Sequence, residues 1–266
     1  MPSCSQLNSM YLRTFLGIVM TVGLACSETV PPDRQTPMAT QTTRTTTSPA
    51  TPRVLEGEVL FEGSSIPHST VVANTTDPQD CGDTQSLGNI LVSPDNQGIQ
   101  NVIVALRGVP LPENYQPEPL PLQLDNRNCQ FQPHVSVVTA GSRIEATNSD
   151  PIFHSVHLYG FLNRNLALVP SQSKTVQRVN RPGYYIVKCD VHGWMQAYFR
   201  VDNHPFHAVS SADGRFRIEN IPPGSYVLEA WHEHFGTQEV EVNIANDTPS
   251  RVTLYFGNPS PGKGGV

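Results

Sequence analysis

Residues 189–195 read Cys-Asp-Val-His-Gly-Trp-Met and bring a thiol, an imidazole and a thioether into seven positions. Cys189, His192 and Met195 are soft or borderline donors, a set that suits copper better than zinc, magnesium or calcium. The Cys-x2-His-x2-Met spacing lets one tight turn aim all three donor atoms at one point. The flanks supply the frame. Residues 184–188 are β-branched and aromatic and end at Cys189, and residues 196–201 read as the returning strand.

Copper held in a plane of two imidazoles and one thiolate, with a weak axial thioether, needs a second histidine from elsewhere. Residues 147–158, Thr-Asn-Ser-Asp-Pro-Ile-Phe-His-Ser-Val-His-Leu, offer two candidates, His154 and His157. Residues 144–148 alternate as a strand, Ser-Asp-Pro makes a turn, and His154 opens the next strand. Side chains three apart on a strand face opposite ways, so a regular strand can aim one of the two at a metal.

The segment Asn-x5-His-x-Val-His, followed 35 positions after its first histidine by Cys-x2-His-x2-Met, resembles the plastocyanin-type cupredoxins. The loop length is that of amicyanin. The resemblance covers roughly residues 100–202, including the approach Phe-Gln-Pro-His-Val at 131–135 and Val-Thr-Ala-Gly-Ser at 138–142. It implies a Greek-key β-sandwich and one type 1 copper per chain, with His154, Cys189, His192 and Met195 as ligands. Two positions depart from the family pattern. Ser155 stands where the family has an Asn that bonds across to the ligand loop, and Asp190 follows the cysteine in place of Thr or Ser. The cross-loop bond is expected to survive as Ser155 hydroxyl to Asp190 carboxylate, a contact that orients ligands. His192, on a short loop, is expected to be the exposed and releasable ligand. Gly193 and Trp194 beside it are expected to form an apolar docking patch.

The ends of the chain point outside the cytosol. Arg13 precedes an apolar run at residues 15–25 that is too short to span a bilayer comfortably. Gly23-Leu24-Ala25-Cys26 resembles a lipobox, which makes residues 1–26 a leader and Cys26 a lipidation site; cleavage by an ordinary signal peptidase is the alternative. Residues 27–53 are rich in Thr and Pro, with too few large apolar side chains to offset their ordering entropy, and read as a disordered tether. The expected location is the periplasm or cell envelope through a lipid anchor, with secretion as the alternative. In that setting the folded body holds Cys81, Cys129 and Cys189, an odd number. Cys81 and Cys129 lack metal partners at diagnostic spacing, so a disulfide between them is expected, leaving Cys189 for the metal.

Beyond residue 202 the pattern changes. Residues 208–231 alternate apolar and polar around two turn signals, Asp213-Gly214 and Pro222-Pro223-Gly224, and two further strands follow at 240–244 and 251–256. Ser-Ala-Asp-Gly-Arg-Phe and Ile-Pro-Pro-Gly-Ser-Tyr resemble the carboxypeptidase regulatory-like domain, a transthyretin-like sandwich, which implies a binding or structural module without catalysis of its own. The expected organisation is a cupredoxin domain at 54–202, a second, smaller sandwich at 203–258 and a tail at 259–266. Residues 54–72 are placed with either sandwich, and Asn-Val-Ile-Val-Ala-Leu at 101–106 reads as an early cupredoxin strand.

The fold class is all-β, since the 24 prolines and 19 glycines argue for many turns and no sustained helical period follows the leader. Sparse charge, 17 basic against 23 acidic side chains for a net −6, gives no electrostatic basis for a nucleic-acid partner. The expected function is one-electron transfer to a redox protein partner, with membrane contact through the anchor alone. A copper-sequestering module and a metal-free envelope binding or structural protein are the alternatives. An enzyme is not expected: a binuclear copper centre needs two thiolates in one loop, and no Ser-His-Asp or paired-carboxylate arrangement stands out.

Overall fold

The computed structural model describes residues 53–88, 90–245 and 249–257. The leader, Cys26, nearly all of the tether and the tail lie outside the described residues. The described chain is all-β, as expected, with one four-residue helix. In chain order it runs β1 (Val54–Phe61), β2 (Thr70–Ala73), α1 (Pro78–Cys81), β3 (Thr84–Leu87) and β4 (Ile103–Arg107). Then come β5 (Leu122–Arg127), β6 (Gln130–Gln132), β7 (Val135–Thr139), β8 (Ser142–Asn148), β9 (His154–Tyr159) and β10 (Arg164–Leu168). After these follow β11 (Ser173–Val179), β12 (Gly183–Lys188), β13 (Gln196–Asp202), β14 (His207–Val209), β15 (Arg215–Glu219), β16 (Gly224–His232), β17 (Gly236–Ile244) and β18 (Ser250–Phe256).

Two sandwiches result. The first packs the sheet β10-β9-β12-β13-β7 on the sheet β11-β8-β5-β6. Period-two alternation drives it: on β8, Ser142, Ile144, Ala146 and Asn148 are buried while Arg143 points out. Tyr185 and Phe199, stacked with ring centroids 4.8 Å apart, fill the core between the sheets. Burying each such ring contributes about 2–3 kcal/mol. The second sandwich packs β15-β1-β18 on β14-β4-β16-β17.

Strand pairing corrects the expected domain limits. β1 pairs antiparallel with β15 and parallel with β18, and β4 lies between β14 and β16. Residues 54–61 and 103–107 therefore complete the second sandwich, and the first is inserted between β4 and β14. The misplacement of residues 101–106 has a physical cause. Ile103 to Leu106 are all buried, because Val104 and Leu106 join the second core while the opposite face of β4 lies toward β7 of the first sandwich. A continuous apolar run signals a strand covered on both faces but not which sheet owns it.

The contact between the sandwiches is polar and aromatic. Arg200 on β13 bonds Glu229 on β16 and the Tyr184 hydroxyl, and Nε of Arg200 reaches the Asp202 carboxylate at 2.9 and 3.1 Å. Tyr184 and Tyr198 pack on Trp231 with centroids at 4.9 and 5.3 Å. His134 also belongs to this contact. Its Nδ1 donates to the Gln196 carbonyl at 3.0 Å and its Nε2 meets the Glu233 carboxylate.

Candidate metal centre

β12 and β13 pair in register up to Lys188 and Gln196, leaving 189–195 as a seven-residue connection at one end of the first sandwich. The Cys189 amide donates to the Met195 carbonyl at 3.2 Å and the Met195 amide to the His192 carbonyl at 2.9 Å, which folds the loop inward. Cys189, His192 and Met195 are all buried, and His192 has no exposed surface. His192 is therefore not the exposed ligand that the short loop led us to expect.

His154 opens β9 from the neighbouring position in the same sheet and is likewise fully buried. Asn148 shapes the turn that delivers it: its amide donates to the carbonyls of Ile152 at 2.8 Å and Leu168 at 3.0 Å, and its side-chain oxygen accepts the Asp150 amide at 3.0 Å. His157, three residues on, faces outward. Its Nδ1 donates to the Asp190 carboxylate at 3.0 Å and its Nε2 to Asn163 at 2.8 Å. The Asn163 bond, with Asp190 adding to it, holds the His157 imidazole above its usual pKa.

The donor atoms converge. Nδ1 of His192 lies 3.6 Å and Nδ1 of His154 4.0 Å from Cys189 Sγ, and the three donors lie within 4.8 Å of one another. Each imidazole gives its other nitrogen to a carboxylate: His154 Nε2 donates to Asp150 at 2.8 Å and His192 Nε2 to Asp77 at 3.1 Å. An ionised carboxylate accepts and does not donate, so each ring, when neutral, carries its proton on Nε2 and leaves the Nδ1 lone pair facing the thiol. Burial pushes the His154 pKa below its ordinary value, with the Asp150 bond opposing and His192 adding to the effect, which favours the neutral ring. A carboxylate behind each imidazole is the outer support that metal-ligating histidines ordinarily have. The donor set therefore fits a thiophilic metal.

Two supports are built from backbone. The Ser155 amide points at Cys189 Sγ at 3.4 Å. The Ser155 hydroxyl accepts the Asp190 amide at 2.8 Å, so the bridge between the two ligand segments runs to the backbone and not to the Asp190 carboxylate. The carboxylate is turned instead to His157 and Tyr159, further along β9, and to Asn165 on β10, while the amide of the same residue meets Ser155.

Asp150 is held by more than His154. Asn128 and Cys129 form the two-residue turn between β5 and β6, both at positive φ as that turn type requires. Their amides donate to the Asp150 carboxylate at 2.6 and 2.9 Å. Cys129 is disulfide-bonded to Cys81 with Cα atoms 5.5 Å apart, so the second cluster of metal-ligand residue types, Cys129, Asp150 and His154, lacks a thiolate and supports the first. Cys189 is the free thiol of the described residues. The Trp194 indole donates to the Cys129 carbonyl at 3.1 Å and lies 5.0 Å from the His192 ring; its side chain is half-buried and Gly193 beside it is exposed. Further exposed apolar surface, next in sequence to His154 and His192, comes from Phe153 and Val191.

Sequence reasoning missed Asp77 and Asp150. Asp150 sits four residues before His154 in the Ser-Asp-Pro turn, a local signal that could have been used. Asp77 lies 115 positions from His192 and carries no such signal.

The family model of the carboxypeptidase regulatory-like domain matches residues 199–256, which meets the expectation for the C-terminal module. No curated protein matches this sequence. Among solved structures, the chain is similar to a copper-containing nitrite reductase from Thermus scotoductus SA-01. That match is 21% identical, covers 35% of this chain and 25% of that one, and has a TM-score of 0.30. The chain thus spans a quarter of that reductase. A reduced amicyanin mutant matches at 17% identity over 31% of this chain and 82% of its own, TM-score 0.28. A purple cupredoxin from Nitrosopumilus maritimus matches at 17% identity over 30% of this chain and 99% of its own, TM-score 0.27.

Proposed function

We propose that this chain is a one-electron carrier with a single type 1 copper held by His154, Cys189, His192 and Met195. The observation that carries the reading is the convergence of two Nδ1 atoms on one buried thiol, each imidazole fixed from behind by a carboxylate. Bound copper supplies the chemistry, alternating between Cu(I) and Cu(II). The chain's own part is to keep the donors in one place. Asp150 and Asp77 fix both ring tautomers, the Ser155 amide bonds the sulfur, and the two sheets around Tyr185 and Phe199 give the site a rigid, dry wall. Phe153 and Val191 offer the apolar surface on which a redox protein partner docks. Export to the cell envelope, through the leader and Cys26, and the absence of catalytic turnover belong to the same proposal.

One observation favours a second reading, a module that stores or sequesters copper. His192 is fully buried behind Asp77, whereas a carrier gains from a ligand edge close to its surface. The two readings part in one experiment. Protein reconstituted with Cu(II) should bind one equivalent and give an intense charge-transfer band toward the red end of the visible spectrum. Cyclic voltammetry should then give a reversible wave. A colourless loaded protein rules out type 1 copper; a coloured protein without a reversible wave moves storage ahead.

A further inference from the structure

His192 is buried although Asp190, Val191 and Gly193 around it are exposed: Trp194 of its own loop and His154 cover part of the ring, and the rest of the cover comes from outside the loop, against Nε2. The cover bears Asp77 and comes from residues 70–87, a hairpin-like insert between β1 and β4 of the other sandwich. Its strands β2 and β3 pair with each other and with no other strand among the described residues. Asn74 braces it from within: its amide donates to the Gly82 carbonyl at 2.7 Å and its side-chain oxygen accepts the Thr76 amide at 2.9 Å.

Asp77 stands at the N-cap of α1 with a left-handed backbone, φ 50°. An aspartate there ordinarily turns its carboxylate onto the helix's own free amides. Here it makes no such bond and reaches His192 instead. At the other end of α1, Cys81 is bridged to Cys129, whose amide holds Asp150 and whose carbonyl holds Trp194. The disulfide thus joins the insert to the fixed wall of the site, beside the support of the other histidine.

We infer that Asp77 is a positioning residue for His192, and that the Cys81–Cys129 bridge holds residues 70–87 over the ligand loop as a strap that slows metal exchange. The metal half of this inference rests on the copper reading above. The strap half does not need copper. It also gives the second sandwich a role at the site, since the insert that completes the site is anchored on β1 and β4.

The test uses the full chain in two states. In metal-free protein, diethyl pyrocarbonate labelling read by peptide mass spectrometry should find His192 protected. In the Cys81→Ser/Cys129→Ser variant its labelling should rise at least about tenfold. In Cu(II)-loaded protein, transfer of copper to excess EDTA should speed up roughly ten- to hundred-fold in Asp77→Ala, the range expected when a ligand's outer partner is lost. Asp77→Glu, which restores a carboxylate, should return the rate to within a few-fold of the parent. His192 labelling unchanged in the bridge variant overturns the strap, whatever the protein does with copper. Should the bridge variant not fold, the folded parent with its disulfide reduced before labelling decides: His192 protection equal to that of the unreduced protein overturns the strap. Copper release from Asp77→Ala at the parental rate overturns the positioning role. A parent that shows strap-dependent labelling but takes up no Cu(II) sinks the copper reading and leaves the strap standing.

Discussion

The two imidazoles of the site do the same job on different foundations. His154 is backed by Asp150, four residues away, and Asp150 is gripped by the amides of a hairpin turn in the same sandwich. His192 is backed by Asp77, which arrives on an insert from the other sandwich and is secured by one disulfide. The first arrangement forms whenever the sandwich folds. The second forms when two parts of the chain far apart in sequence have met. One imidazole's orientation is therefore part of the fold, and the other's depends on a segment whose two strands pair only with each other among the described residues. A third buried imidazole makes the contrast plainer. His232 in the second sandwich accepts the His234 amide on Nδ1, and its Nε2 has no partner among the described residues. Burial pushes its pKa down to about 4.

The largest expected effect removes what both imidazoles serve. Cys189→Ser should abolish the visible band of the copper-loaded protein, while His157→Ala, which faces outward, should leave most of its intensity. Absorption spectra of the two variants at equal copper loading check this. Next is the fixed support. Asp150→Ala strands two amides and the His154 Nε2 proton, two of these three donors in fully buried residues. It should cost about 4 kcal/mol of folding stability in metal-free protein, read by urea denaturation. A cost below about 1 kcal/mol would erase the difference between the two supports.

The bridge comes third. Cys81→Ser/Cys129→Ser should lower stability by about 2–4 kcal/mol, because the unfolded chain loses its loop closure. Alkylation of the parent in denaturant without reductant should label Cys189 and spare Cys81 and Cys129; labelling of all three contradicts the pairing. His232 gives the pH test. Its folded pKa lies below the unfolded value of about 6.5, so the unfolded chain binds more protons between about pH 6.5 and about pH 4. Stability contributed by the neutral ring is present above that window and is lost as pH falls through it, by roughly 2–3 kcal/mol. The parent should lose more stability than His232→Leu between about pH 7 and about pH 4. Equal losses would mean that the ring finds a partner. Smallest is Asp77→Ala. The carboxylate is partly exposed, so water takes its place on the His192 ring and the stability change should stay under about 1 kcal/mol even where copper release changes strongly. A large loss would make the strap part of the fold rather than an attachment.

Local spacing determined much of the site. Cys189, His192 and Met195 share one loop because a hairpin connection of seven residues has few ways to close, and their sulfur and nitrogen donors name a soft metal before any fold is known. The all-β class was equally legible from alternation and turn residues, and His154 from its place at the start of a strand. The tertiary structure alone decided three things. It assigned β1 and β4 to the second sandwich, since an apolar strand reports burial and not its neighbour. It turned the Asp190 carboxylate away from Ser155, since the amide of the same residue meets that hydroxyl while His157 and Asn165 hold the carboxylate. And it brought Asp77 to His192, since a contact across 115 positions leaves no periodic trace in the sequence and exists once both sandwiches and a disulfide have set it in place.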